Sequence, residues 1–337
     1  MPGHLGNMIK DARIGIIGAG SMARQHLAVL RAVEGIQPVG IVSRTKSKAE
    51  DLAREYRTSC FDHVDDLIKE ARPDALMVLV SEDQMFTVAS AVIPYGLPLF
   101  IEKPPGLVPE EAQQLVRLAD EYKVKTMVGF NRRYYSVFHK GLEVIRRHGP
   151  LLGVMVEGHE RFWRVRNSGK FKPAVMDQWI YANSTHTIDL LHFFGGTIQD
   201  VTALARAYKE PRGDQFGALV AFASGTIGQY QAYWYSPGGW RVVLYGDGVT
   251  VEFKPLEQGR WTDTDFKTHD IEPNAEDVRF KPGFYRQMKM FGEMVREGKQ
   301  PWPILDLAGA YETMRLAQRI ASPDTLNKDM KNGAFLV

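Results

Sequence analysis

The stretch Ile14-Gly15-Ile16-Ile17-Gly18-Ala19-Gly20-Ser21-Met22-Ala23 limits what this chain can fold into more than any other. A short apolar run passes through two closely spaced glycines into residues with helical spacing, so it reads as a buried strand, a tight turn and a helix. Gly18 allows the turn, Gly20 lets backbone approach a bulky anion, and the small Ala23 lets the helix pack close to the strand. The free N–H groups at the start of that helix, around Ser21 and Met22, together with its dipole, suit a phosphate group.

Strand-like and helix-like segments alternate after this point. Strands are expected at 13–17, 38–42, 75–80, 97–102 and 126–128, with helices at 22–32, 46–56, 64–70, 84–94 and 109–122 between them. Such alternation predicts a parallel, doubly wound α/β sheet, and the glycine turn then makes residues 10–130 a Rossmann dinucleotide-binding domain. Beyond Phe130 the pattern changes. Strands expected at 153–161, 198–207, 217–222, 226–235, 240–245 and 249–254 follow one another across Ser-Gly and Gly-Asp-Gly turns, as antiparallel hairpins do. With helices expected at 138–148, 180–194, 284–297 and 306–320, residues 131–325 read as an α+β domain for substrate binding and oligomerisation, built on a large, mostly antiparallel sheet. Loose tails are expected over the first ten residues and after the last helix.

Composition narrows the function. The 42 basic and 40 acidic residues leave a net charge of +2, no footprint for nucleic acid, so a small molecule is the expected partner. No apolar run reaches the length of a membrane span, and the N-terminus lacks the apolar centre of a signal peptide. A single cysteine, Cys60, rules out an internal disulfide and a multi-cysteine metal cluster; no metal is expected, and a cytoplasmic setting is. An exposed antiparallel sheet needs cover, which favours a homodimer or homotetramer.

Three further stretches carry chemistry. After the second strand, Ser43-Arg44-Thr45-Lys46 stands where an NAD-preferring fold carries an acidic residue. A guanidinium with short hydroxyls suits a ribose 2′-phosphate instead, favouring NADP with NAD as the alternative. Glu102-Lys103-Pro104 closes a sheet strand at the edge where such sheets place ligands, and an ammonium held there can stabilise a developing alkoxide. On the segment Asn183-Ser184-Thr185-His186-Thr187-Ile188-Asp189, His186 and Asp189 sit three apart on one helical face.

The order Gly18-x-Gly20-x-x-Ala23 with His26, Glu102-Lys103-Pro104, Gly129-Phe130-Asn131-Arg132-Arg133 and His186-x-x-Asp189 resembles the glucose-fructose oxidoreductase, inositol dehydrogenase and rhizopine-catabolism (Gfo/Idh/MocA) family over nearly the whole chain. Phe284-Tyr285-Arg286-Gln287, Pro301-Trp302-Pro303 and Asp306 are similar to that family's C-terminal pattern. The resemblance implies an NAD(P)-dependent oxidoreductase moving a hydride to or from a hydroxyl or keto carbon of a sugar, sugar acid or cyclitol. It implies Lys103 as the catalytic lysine and His186 as the acid/base. Cofactor contacts fall to Gly18, Gly20, Ser21, Met22, Ser43, Arg44, Val80, Glu102, Lys103 and Asn131, and substrate contacts to Arg132, Trp163, Asn183 and Tyr235.

The chain departs from the pattern in three places. Ala182 stands where many members carry an aspartate; Val80-Ser81 and Met85 replace a threonine-proline pair and a later histidine; and Met176-Asp177-Gln178-Trp179-Ile180-Tyr181 replaces a glycine-rich lead. These imply an altered substrate pocket, with Asp189 structural or orienting and Asp177 a candidate relay partner. The alternatives are a redox-neutral isomerase or glycoside-cleaving enzyme that oxidises its sugar transiently, and a non-catalytic nucleotide-binding sensor or scaffold.

Overall fold

A computed structural model describes residues 11–321, and the two expected tails lie outside the described residues. Six strands form the first sheet: β1 (Ala12–Ile17), β2 (Ile36–Val42), β3 (Ser59–Phe61), β4 (Ala75–Val78), β5 (Leu99–Ile101) and β6 (Thr126–Val128). All run parallel, in the order β3-β2-β1-β4-β5-β6. Helices cover both faces, so β4, β5 and β6 are buried at every residue. The chain winds outward from β1 to β3, then returns to β4 on the other side of β1. That reversal opens a crevice at the C-terminal ends of β1 and β4, the place where doubly wound sheets bind ligands. Three-residue β3 was not foreseen, because so short a strand leaves no periodic signal.

The second sheet has eight strands: β7 (Leu151–Gly158), β8 (Ile198–Arg206), β9 (Gln215–Phe222), β10 (Ile227–Tyr233), β11 (Trp240–Gly246), β12 (Val249–Phe253), β13 (Gly259–Thr262) and β14 (Thr268–Ile271). Their order is β14-β13-β12-β11-β7-β10-β9-β8, antiparallel throughout except where β7 lies parallel to β10. The polar hairpin β13–β14 at the edge was also not foreseen. One face packs on the helices Ser136–His148, Thr185–Gly195 and Leu307–Ala321 around Phe138, Phe194, Phe222 and Phe253. The other face carries Leu204, Leu219, Ile227 and Tyr233 in the open.

Two expected boundaries shift. The strand expected to reach residue 161 stops at Gly158, and the chain turns into a short helix, Phe162–Asn167. The helix expected from 180 starts at Thr185, because Ile180–Ser184 forms a wider π-type turn. Helix Phe284–Glu297 lies against the first sheet, with Phe284, Met288, Phe291 and Met294 packed among Ile14, Ala23 and Leu27.

Candidate functional site

At the end of β1, Gly18 has φ +114°, and a Cβ there would sit 2.3 Å from the Leu79 carbonyl oxygen beside Val80. Only glycine fits so close a crossing of the two strands. Gly20 is the opposite case: a Cβ would meet nothing within 4 Å. Helix Ser21–Leu30 starts directly after it with no side-chain cap, so the N–H groups of its first turn are left without a capping side chain. This uncapped, open cradle fits a dinucleotide phosphate. Ser43 and Arg44 follow β2 at the same sheet edge; Arg44 is exposed and has no ion pair among the described residues, while Lys46 is paired with Asp62 at 2.6 Å.

The turn after β5 is built from within. Glu102 is 5% exposed, and its Oε1 shares a 2.7 Å hydrogen bond with His26 Nε2. Burial alone would raise Glu102, but the His26 bond and the Lys103 and Lys281 charges hold it below the usual carboxylate range. Gly129, at the end of the next strand, leaves only 3.0 Å between a would-be Cβ and the Glu102 carboxylate. Lys103 emerges from this anchored turn across a cis peptide to Pro104, and its Nζ donates to the Ala182 carbonyl oxygen at 2.8 Å. Burial pushes Lys103 down to about 8, against the Glu82 and Glu102 carboxylates.

Ala182 belongs to the π-type turn that runs straight into the helix carrying His186, so the lysine and the histidine converge. His186 is buried, its Nδ1 has no hydrogen-bond partner, and its ring lies edge-on to Phe130 and 6.0 Å from Trp240. Burial, then the charges of Arg132, Lys103 and Lys281, drive the imidazole well below its ordinary pKa. Arg132 stacks its guanidinium 4.4 Å over Trp240 and donates to Asn131 Oδ1 at 3.2 Å. Asn131 in turn donates to the Pro282 carbonyl at 3.0 Å.

The remaining expected residues fall elsewhere. Asp189 is engaged elsewhere than at His186: its carboxylate takes both arms of Arg133 at 2.7 Å. Trp163 is half-buried and makes no ring contact among the described residues. The Tyr235 hydroxyl donates to Glu210 in a cluster with Arg166, and no hydrogen bond or ring contact joins it to Lys103 or His186.

Sequence reasoning missed Glu160, Trp240 and Lys281. Asn183 Nδ2 donates to both Glu160 oxygens at 3.1 and 2.9 Å, and Ser184 Oγ donates at 2.9 Å. Its signal was present in the alternation along β7: Val154, Val156 and Gly158 face inward, and Glu160 continues that parity past the strand's end. With Trp240, Glu160 lines a cavity of about 550 Å³ that also touches His159, Arg161, Lys254 and Leu256. That volume suits a small ligand. No group of three or more metal-ligating side chains is placed to hold an ion among the described residues, and no described helix is long and apolar enough to cross a membrane.

A glycine turn opening at a Rossmann switch point beside a buried lysine and histidine is the arrangement that an NAD-binding oxidoreductase requires. The family follows from direct comparison: residues 12–130 match the oxidoreductase family with the NAD-binding Rossmann fold, and residues 152–252 match the GFO/IDH/MocA C-terminal domain. The chain belongs to the Gfo/Idh/MocA family. It is 28% identical to the UDP-N-acetylglucosamine 3-dehydrogenase of Acidithiobacillus ferrooxidans over 65% of this chain and 66% of that protein. It is 23% identical to the scyllo-inositol 2-dehydrogenase (NAD+) of Bacillus subtilis over 87% of this chain and 89% of that one. Among solved structures, a dehydrogenase from Chromobacterium violaceum superposes with TM-score 0.80 at 19% identity, covering 96% of this chain and 98% of that one. An enzyme of gentamicin A biosynthesis in complex with NAD gives TM-score 0.71 at 22% identity, covering 97% and 98%.

Proposed function

We propose that this protein is an NADP-preferring dehydrogenase or reductase acting on a CH–OH or keto carbon of a sugar, sugar acid or cyclitol. The observation that carries the reading is the 2.8 Å bond from Lys103 Nζ to the carbonyl of Ala182, on the turn that delivers His186. The named activities of the relatives, on a nucleotide sugar and on an inositol, support the substrate class.

The Gly18–Gly20 turn and the start of helix Ser21–Leu30 hold the dinucleotide phosphates, and Arg44 pairs with the 2′-phosphate. When bound, the nicotinamide supplies the hydride acceptor or donor. His186, kept neutral, takes the hydroxyl proton in oxidation, and the Lys103 ammonium donates to the incipient oxyanion. In reduction the proton moves the other way. Apolar Leu204, Leu219 and Ile227 on the open sheet face support pairing of two copies, and the single thiol supports a cytoplasmic setting.

The test follows nicotinamide absorbance with NADP or NAD against sugars, sugar acids, sugar phosphates and inositols, with product analysis by NMR. Arg44→Ala is expected to weaken NADP at least tenfold more than NAD. Equal losses for both cofactors would defeat the 2′-phosphate assignment, and tight cofactor binding without any substrate conversion would defeat the enzymatic one.

A further inference from the structure

Ala182 offers only its backbone to the site, and Lys103 takes its carbonyl. A carboxylate nevertheless reaches the same turn from the other side. Glu160 is 5% exposed and fixed by Asn183 and Ser184, the two residues that follow Ala182. Oε1 takes bonds from both donors and Oε2 takes only the 2.9 Å bond from Asn183. An ionised carboxylate offers about four lone-pair sites, so Oε2 keeps acceptor capacity, and Glu160 lines the cavity. A buried carboxylate with an unfilled acceptor is costly, and an incoming O–H is the group that satisfies it.

We infer that Glu160 is a substrate-binding carboxylate that accepts a hydrogen bond from a hydroxyl group of a polyhydroxylated ring seated in the cavity beside Trp240. This rests on the hydride-transfer reading above and adds to it a second recognition point, away from the reacting carbon. Trp240, held by the Arg132 guanidinium stacked on its ring, also lines the cavity and gives such a ring an apolar wall for its C–H surface.

Burial raises Glu160 to about 7, against the opposing hydrogen bonding of Ser184, the Trp179 indole and Asn183 and the charge of Arg132. The accepting form therefore grows as pH rises through neutrality. Other groups face it: Arg132 from the turn after β6, Tyr230 from β10, His159 and Arg161 on either side, and Lys254 and Glu257 across the cavity. Burial raises the Tyr230 hydroxyl and lowers the His159 imidazole, so each is driven toward its neutral form.

The experiment measures binding of myo-inositol and of N-acetylglucosamine, both uncharged, to the NADP-loaded protein by calorimetry across a pH series spanning neutrality. Wild-type affinity is expected to rise about tenfold from the acid to the alkaline side, the worth of a charge-assisted hydrogen bond. Glu160→Gln is expected to lose that pH dependence and to bind about tenfold more weakly on the alkaline side. Glu160→Asp, with melting curves to check folding, should keep the dependence. Wild-type affinity and pH profile in Glu160→Gln would overturn the inference, as would failure of both probes to bind the wild-type protein. Probe binding that depends on Glu160 with no nicotinamide absorbance change sinks the hydride reading and leaves the binding role standing.

Discussion

His186 and Asp189 share a helix at catalytic-looking spacing, yet the Asp189 carboxylate is wholly engaged by Arg133 and Thr313, and the role proposed for it is structural. Asp189 is 1% exposed and Arg133 is 6% exposed. The aspartate takes Arg133 Nε and Nη2 at 2.7 Å each and the Thr313 hydroxyl at 3.0 Å. It thus ties the turn after β6 and the last helix to the helix of His186. Removing one partner of a buried pair strands the other charge and costs about 3–5 kcal/mol. Out of a total stability of about 5–15 kcal/mol, that is a large share. At about 2–4 °C per kcal/mol for a domain of this size, Asp189→Leu is expected to melt roughly 6–20 °C lower. Replacing both partners, as Arg133→Leu with Asp189→Leu, removes the stranded charge, so the pair should cost less than the sum of the two singles. Circular-dichroism melts give the stabilities, and turnover per folded molecule at low temperature should stay within a few-fold of wild type. A hundredfold loss of turnover with an unchanged melting point would refute the structural assignment.

Lys103→Met is expected to lower turnover at least a hundredfold while sparing cofactor affinity, the usual weight of one positioned proton-donating group. Since burial lowers Lys103 to about 8, its ammonium form is present below that pH, and the rate of carbonyl reduction should fall as pH rises through about 8; a flat profile in that range would count against the role. Gly18→Ala forces a Cβ against the Leu79 carbonyl at φ +114° and is expected to cost about 1–3 kcal/mol of stability. Gly20→Ala, with empty space around it, should leave the melting point within about 1 °C and weaken only NADP binding; a large drop in melting point would show that the cradle is not open.

Most of the first domain was legible because its strands are buried on both faces and announce themselves as apolar runs between helical periods. The candidate site was legible in part. Gly18, Gly20, Lys103 and His186 stand in local patterns whose chemistry depends on neighbours in the chain. Glu160 does not. Its meaning comes from a register that carries an inward-facing strand position two residues past the last paired one, and from partners 23 and 24 residues away. Tyr235 shows the same dependence: an aromatic at a strand end suggests a ligand wall, and only the fold reveals that the Arg166–Glu210 pair takes its hydroxyl. Side-chain partnership across elements, not local propensity, decided each case.

The charges around His186 explain how a histidine without a carboxylate partner suits the proposed reaction. Asp189 is committed to Arg133, and position 182 has no side-chain oxygen. Among the described residues no carboxylate therefore stabilises an imidazolium there, while Arg132, Lys103 and Lys281 oppose one. The imidazole stays neutral at physiological pH, ready to take a proton, and the same three cations favour negative charge on a substrate oxygen. A proton acceptor and an anion-stabilising field are thus produced by one arrangement. An aspartate at residue 182 would change both at once: it would offer Lys103 a carboxylate in place of a backbone carbonyl and raise the histidine's basicity. Ala182→Asp is accordingly expected to move the acid limb of the oxidation profile to higher pH, because His186 would hold its proton longer. A profile that stays in place would mean that the surrounding cations, and not the missing carboxylate, alone set the ionisation of His186.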